Sequence, residues 1–180
     1  MKDLVIGCTT NYDWDKLKYW VNSLNKSGFE GDKVMIAFNI DYETIEKLSQ
    51  AGFQVILPGQ DNKQAQRYEY QSSLPVHVER FIHIYNYLND HDDYRFVITT
   101  DVKDVIFQQD PTKFLGMELP GSKLMFASES MKYKDEPWGN QNLLEAFGPF
   151  FHNALKGNLI YNVGTIAGEF EYVKDLLLMI

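Results

Sequence analysis

Phe96-Val97-Ile98-Thr99-Thr100-Asp101-Val102-Lys103-Asp104-Val105-Ile106-Phe107 reads as a buried strand running straight into two acids, with apolar residues on both sides. In an open α/β sheet, ligands bind beyond the carboxyl ends of the strands, so Asp101 and Asp104 are expected to project where a ligand would sit. Hard divalent cations such as Mg²⁺ and Mn²⁺ prefer carboxylate oxygens and leave positions for phosphate oxygens. Two carboxylates in such an apolar setting would be costly without a cation or hydrogen bonds. Spacing alone supports a plainer reading equally well, in which the acids only cap a turn and Lys103 pairs with one of them. Phosphatase-like hydrolases and response-regulator receivers also place two acids after a strand.

Working outward, Leu4-Val5-Ile6-Gly7-Cys8 reads as a buried first strand ending in the polar loop Thr9-Thr10-Asn11-Tyr12. Asp13 is placed to cap a helix with Leu17, Trp20, Val21 and Leu24 on one stripe, which stops at Gly28. Lys33 to Ile40 is a second strand. Asp41 caps a helix that ends at Gly52, and Phe53 to Leu57 is a third strand closed by Pro58-Gly59. This β-α-β-α-β order implies parallel strands with helical crossovers. Residues 58–73 are polar and read as the least regular stretch, a candidate mobile loop. A helix over Val76 to Leu88 leads into the strand Tyr94 to Thr100. Leu124 to Ser128 and Ile160 to Ile166 are later strands, and Glu169 to Ile180 is a helix. That helix reaches the last residue without a cap, which reads as a truncated chain.

The 180 residues are 44% hydrophobic and 23% charged, enough for one α/β domain with a sizeable core. The net charge of −8, with no Lys/Arg cluster, argues against nucleic-acid partners. A cation can still bring an anionic small molecule to an acidic protein. The single cysteine excludes a disulfide framework and fits a reducing compartment. No signal-peptide pattern opens the chain, and no apolar run approaches the roughly 20 residues of a membrane span. The expected location is the cytoplasm.

The strand, its acids, the apolar run and then Asp110-Pro111 resemble the core of A-type (GT-A) glycosyltransferases, whose DxD motif is followed by an apolar stretch and an Asp-Pro turn. Counted back from Asp110-Pro111, Asp104 matches the second acid of that motif, which in the family binds Mn²⁺ or Mg²⁺. Asp101 stands one residue early, so the motif reads DxxD. Ile160-Tyr161-Asn162-Val163-Gly164 resembles the later strand whose Asn-x-Gly segment lines the family's sugar and acceptor pocket. Thr9-Thr10-Asn11-Tyr12 falls where the family's first strand meets the nucleotide base.

The resemblance implies one domain over residues 1–180, with a mostly parallel Rossmann-like sheet flanked by helices. Its nucleotide-binding half would be about 1–110 and its acceptor-side half about 111–180. It implies metal-dependent transfer of a sugar from a nucleoside diphosphate donor, a UDP-sugar first among them, to a saccharide or other hydroxyl acceptor. Asp101 and Asp104 would be the metal ligands. Thr9, Thr10, Asn11 and Tyr12 would hold the nucleotide, and Asn162 and Gly164 would face sugar and acceptor. A nucleotidyltransferase of similar architecture is the alternative enzyme, though its Gly-rich basic loop after the first strand is missing. A non-catalytic nucleotide- or sugar-binding module is the third reading.

Other side chains carry paired readings. Arg80 could reach a diphosphate as a planar fork, or form a surface ion pair with Glu79 or Asp90. Trp138, beside acids and amides, suits stacking on a sugar face, or packs for stability in a solvated loop. Glu129 and Asp135 are the candidate catalytic bases of an inverting reaction, and no spacing chooses between them. His77, His83, His91 and His152 lack zinc spacing and read as structural or surface groups. There is no P-loop, nucleophile elbow or dinucleotide glycine fingerprint.

Overall fold

The computed structural model describes residues 1–72, 74–118 and 121–180. The chain opens with β1 (Lys2–Thr9), α1 (Trp14–Lys26) and β2 (Asp32–Ala37). Asp13 caps α1 as its spacing predicts, its carboxylate accepting from the Lys16 amide at 3.1 Å. Next come the short β3 (Ile40–Asp41), α2 (Tyr42–Gln50) and β4 (Gln54–Ile56). Asp41 caps α2 through the Thr44 amide at 2.7 Å. Gly28 and Gly52 follow the two helices at φ 85°, the left-handed backbone that closes a helix and that other residues adopt only at a cost.

The polar stretch over 58–73 is more regular than its composition suggests. It contains β5 (Gln60–Asn62) and β6 (Arg67–Glu69), which pair antiparallel with each other, and β6 also pairs with β3. Polar sequences pair through the backbone when both faces of a ribbon are half-wet, so hydrophobic alternation gives no warning of them. Ser73, the last residue of that stretch, lies outside the described residues.

The chain continues with α3 (Val76–Asp90), β7 (Tyr94–Thr100), α4 (Pro111–Glu118) and β8 (Leu124–Lys132). A 3-10 turn over Tyr133–Asp135 leads into α5 (Pro137–Leu155), and β9 (Leu159–Glu169) and α6 (Phe170–Met179) complete the chain. The sequence reading left 141–155 unassigned. The reason is visible at Gly148, which has φ 71° and breaks α5, followed by Pro149, which has no amide to donate.

A six-stranded, mostly parallel sheet in the order β4-β2-β1-β7-β9-β8 forms the centre. β1 is parallel to both β2 and β7, and β2 to β4. Because successive side chains point to opposite faces, Leu4 and Ile6 face one layer and Val5 faces the other. Val5 packs with Leu17, Trp20, Val21 and Leu24 of α1 and Leu48 of α2. Leu4 and Ile6 pack with Phe81, Ile84 and Leu88 of α3 and with Val173 and Leu177 of α6. Burial on both faces explains why these strands read as continuous apolar runs.

The chain forms two compact units, residues 1–125 with 166–180, and residues 126–165. The larger holds β1 to β7, α1 to α4, α6 and the two cores just described. The smaller holds the 3-10 turn, α5 and the adjoining parts of β8 and β9. Among its described residues only Gly139 and Leu143 are fully buried.

Candidate functional site

The sheet order puts a topological switch between β1 and β7. From β1 the chain builds outward through β2 to β4, then returns through α3 to add β7 on the other side. Gly7 of β1 stands opposite Thr100 of β7, so the two strands end side by side and release Thr9-Thr10 and Asp101 at the same edge. Open α/β sheets bind ligands at this crossing. A crevice of about 370 Å³ lies there, lined by Thr9, Thr10, Tyr12, Arg80, Asp101 and Asp104, with His77, Lys103, Cys8, Val76 and Val102 completing its wall.

The floor is rigid. Trp20, with no exposed surface, donates its indole N–H to Thr100 Oγ1 at 2.9 Å and packs against Phe53 and Phe107. Val102 is buried so close to Gly7 that a Cβ on Gly7 would collide with it. The Phe107 amide donates to Ser23 Oγ at 3.1 Å, tying the loop after β7 onto α1. Asp110 then accepts from both the Thr112 amide and the Thr112 hydroxyl, which starts α4 at Pro111. Alternate apolar residues of this loop thus anchor inward, while Lys103 and Asp104 remain exposed.

Arg80 departs from the plainer of its two sequence readings, the surface ion pair. Its guanidinium pairs with Asp101 rather than with Glu79 or Asp90, and only 14% of its side-chain surface is exposed against 42% for Asp101. It is a crevice group, delivered from α3 one turn after His77. His77 is a wall residue that sequence reasoning set aside, since nothing in its spacing marked it. Cys8 keeps part of its surface on the same wall, but desolvation pushes its thiol up to about 12, with Arg80 pulling the other way and Asp101 adding to the rise.

The loop after β1 is strongly tied. Asn11 has φ 56°, its amide donates to the Asn39 carbonyl at 2.8 Å, and its Oδ1 accepts from Arg67 at 3.1 Å. Thr10 Oγ1 accepts from Asn39 Nδ2 at 3.2 Å. Tyr12 packs against the core, with Lys16 over its ring. Thr9 Oγ1 is buried on the crevice side and makes no hydrogen bond. Of the four residues, Asn11 alone is missing from the crevice lining, because its side chain is turned to Arg67 of the β5–β6 ribbon.

In the smaller unit a second cavity, about 610 Å³, is lined by Glu129, Tyr133, Glu136, Trp138, Tyr161 and Asn162 together with apolar side chains of α5 and β9. Glu129 accepts from Asn162 Nδ2 at 2.7 Å, and Asn162 Oδ1 in turn accepts from the Gly164 amide at 3.1 Å. Asn162 and Gly164 therefore act together to orient Glu129. Glu136, unremarked in the sequence, caps α5 through the amides of Trp138 and Gly139. The capping places Trp138 in the first turn of α5 rather than in a loop, and 76% of its surface is exposed, so it does not pack for stability. Asp135 sits exposed on the 3-10 turn and does not line the cavity. A hollow of about 720 Å³ beside the β5–β6 ribbon is larger, but its Asp61, Lys63 and Glu69 are all exposed, and it lies at the outer strand β4 rather than at the β1–β7 crossing.

No family model matches the sequence, and no curated protein matches it. Solved structures do. Glucosyl-3-phosphoglycerate synthase from Mycobacterium tuberculosis, in complex with Mn²⁺, UDP and glucosyl-3-phosphoglycerate, aligns over 99% of this chain and 64% of its own, with TM-score 0.54 and 15% identity. Mannosyl-3-phosphoglycerate synthase from Rubrobacter xylanophilus covers 95% of this chain and 54% of its own, with TM-score 0.57 and 11% identity. The apo form of the glycosyltransferase GlyE from Streptococcus pneumoniae TIGR4 covers 99% and 38%, with TM-score 0.52 and 14% identity. This chain thus spans from 38% to 64% of the length of these three proteins. No described helix is long and apolar enough to cross a membrane. The chain has the A-type glycosyltransferase fold.

Proposed function

We propose that this chain is a glycosyltransferase that moves a sugar from a nucleoside diphosphate, UDP first among the candidates, to an acceptor hydroxyl. The observation that carries the reading is the crevice at the β1–β7 switch point, where two carboxylates, an arginine and threonine hydroxyls converge. The fold shared with sugar-transferring enzymes supports it.

The crevice chemistry fits a hard divalent cation, Mn²⁺ or Mg²⁺. Asp101 and Asp104 would hold it, and the orphaned Thr9 hydroxyl is a further oxygen on the same wall. Among the described residues no group of three or more His, Cys, Asp or Glu stands together. A cation here would therefore have to take most of its ligands from diphosphate and water. When bound, the cation would offset charge developing on the leaving diphosphate.

The chain's own residues would do the remainder. Arg80, already inside the crevice, would hold diphosphate oxygens with its planar fork. Thr10 and Tyr12 would meet the nucleotide, with Asn11 shaping their loop. In the smaller unit Trp138 would stack on the acceptor. Glu129, fixed by Asn162 and Gly164, would take the acceptor proton, a role its position on the cavity wall supports over Asp135. The proposed nucleotide part, about residues 1–110, falls within the larger unit, and the acceptor part, about 111–180, contributes to both. The proposed setting is the cytoplasm, on the sequence grounds above.

A thermal-shift comparison tests the reading, since a ligand of the folded state raises the midpoint by mass action. UDP with Mn²⁺ should raise it by several degrees, UDP alone by little, and Asp104→Asn should remove the metal-dependent part. Metal-independent binding of a free sugar without any UDP response would favour a binding module. Unchanged Mn²⁺-dependent donor hydrolysis in Asp104→Asn would sink the assignment of Asp104.

A further inference from the structure

The two hollows differ in the charge they can accept. Arg80, Lys103 and His77 stand on the crevice wall beside its carboxylates. The cavity of the smaller unit has two carboxylates, Glu129 and Glu136, and among its described lining residues there is no Lys, Arg or His. Its remaining polar groups are the amides of Asn142 and Asn162 and the phenols of Tyr133 and Tyr161. We infer that this cavity selects a neutral, unphosphorylated sugar ring as acceptor and rejects phosphorylated ones. The inference takes the acceptor role of the cavity from the reading above and adds its substrate class.

The chemistry on each wall is suited to a pyranose. A sugar ring presents an apolar face of C–H groups and an equatorial rim of hydroxyls. Trp138 and Tyr161, both largely exposed, offer flat apolar surfaces to the first. Glu129 and the asparagine amides offer acceptors and donors to the second, and a carboxylate accepting from a hydroxyl makes one of the stronger neutral-to-charged hydrogen bonds. A phosphate brings about −1.5 to −2 charges at neutral pH. Beside two carboxylates it finds repulsion and, on this wall, no cation to offset it. Glu136 is committed to the amides at the start of α5, so it is held in place. Glu129 is likewise held by Asn162, so neither carboxylate is placed to swing away from an incoming anion.

The test is a direct binding titration of the full chain by protein-observed NMR, with glucose, galactose, mannose and N-acetylglucosamine, each against its 6-phosphate. At least one neutral sugar should bind, its 6-phosphate about tenfold more weakly, which corresponds to about 1.4 kcal/mol. Trp138→Ala should abolish the neutral sugar's binding while leaving the spectrum of the larger unit intact, and Glu129→Gln should narrow the gap to its 6-phosphate. The inference is overturned if the phosphate binds as tightly as its neutral partner, if none of the four neutral sugars binds, or if Trp138→Ala leaves binding unchanged. The UDP–Mn²⁺ thermal shift on the same sample keeps the two claims apart. A UDP response without sugar binding defeats this inference and leaves the transferase reading. Sugar binding without a UDP response keeps the cavity's preference for neutral sugars but removes its acceptor role along with the transferase reading.

Discussion

Thr100, next to the crevice residue Asp101, takes a hydrogen bond from a tryptophan with no exposed surface, whereas Trp138, on the wall of the other cavity, leaves 76% of its surface in solvent. The larger unit rests on two apolar clusters, packed on opposite faces of the central sheet, and its site inherits their rigidity. The smaller unit buries little beyond Gly139 and Leu143, and its site is built from exposed aromatics and hydrogen-bonded pairs. Stability is not uniform across a structure, and elements with few buried contacts open most easily. By this measure the smaller unit should open more easily than the larger one.

Substitutions can break this contrast at several depths. Trp20→Ala removes a fully buried ring and a buried hydrogen bond, so chemical denaturation should show a loss of about 3–5 kcal/mol. A loss below 1 kcal/mol would mean that the crevice floor is not the rigid element described. Cys8 reports the same rigidity through its thiol. Because the folded thiol sits near 12 instead of 9.0, its protonated form is favoured by the fold, and that contribution to stability is present below about pH 9 and lost as pH climbs toward 12. At pH 8, iodoacetamide should therefore label Cys8 in the metal-free native chain about 1,000-fold more slowly than in the denatured chain, the ratio of the two thiolate fractions. Equal rates would contradict the desolvated wall. Asp110→Ala deletes the carboxylate that starts α4 and should cost about 1 kcal/mol by thermal or chemical melting. At the small end, Trp138→Ala should change stability by less than about 0.5 kcal/mol, because so little of the ring is packed. A larger cost would show that the smaller unit has a core its burial does not reveal.

Much of the larger unit was legible residue by residue. Asp13 and Asp41 announce their helices because a short side-chain oxygen satisfies amides that the first turn leaves open, a local requirement. Val97 and Ile98 announce a doubly covered strand because both faces must leave water. The β5–β6 ribbon was not legible, since its pairing is backbone to backbone between polar residues. The ion-pair partner of Arg80 was missed for a related reason: Glu79 and Asp90 are near it in sequence, but Asp101 lies at the end of β7. The smaller unit was read poorly because α5 is broken at Gly148 and its apolar side chains face solvent, which blurs a helical stripe.

Local sequence was enough to place β1, α1, β2, α2, β4, α3, β7, β8, β9 and α6 in order, the capped starts of α1 and α2, and two acids after a buried strand, because these follow from local periodicity and short-range hydrogen bonding. Tertiary structure alone decided that β7 lies beside β1, since strand neighbours are set by how crossover helices pack on the sheet. From that one adjacency come the crevice, the Arg80–Asp101 pair and the placing of Asp101 and Asp104 beside Thr9 and Thr10. Tertiary structure also distinguished Glu129, bonded to Asn162 across two strands, from Asp135, which remains on its turn in water.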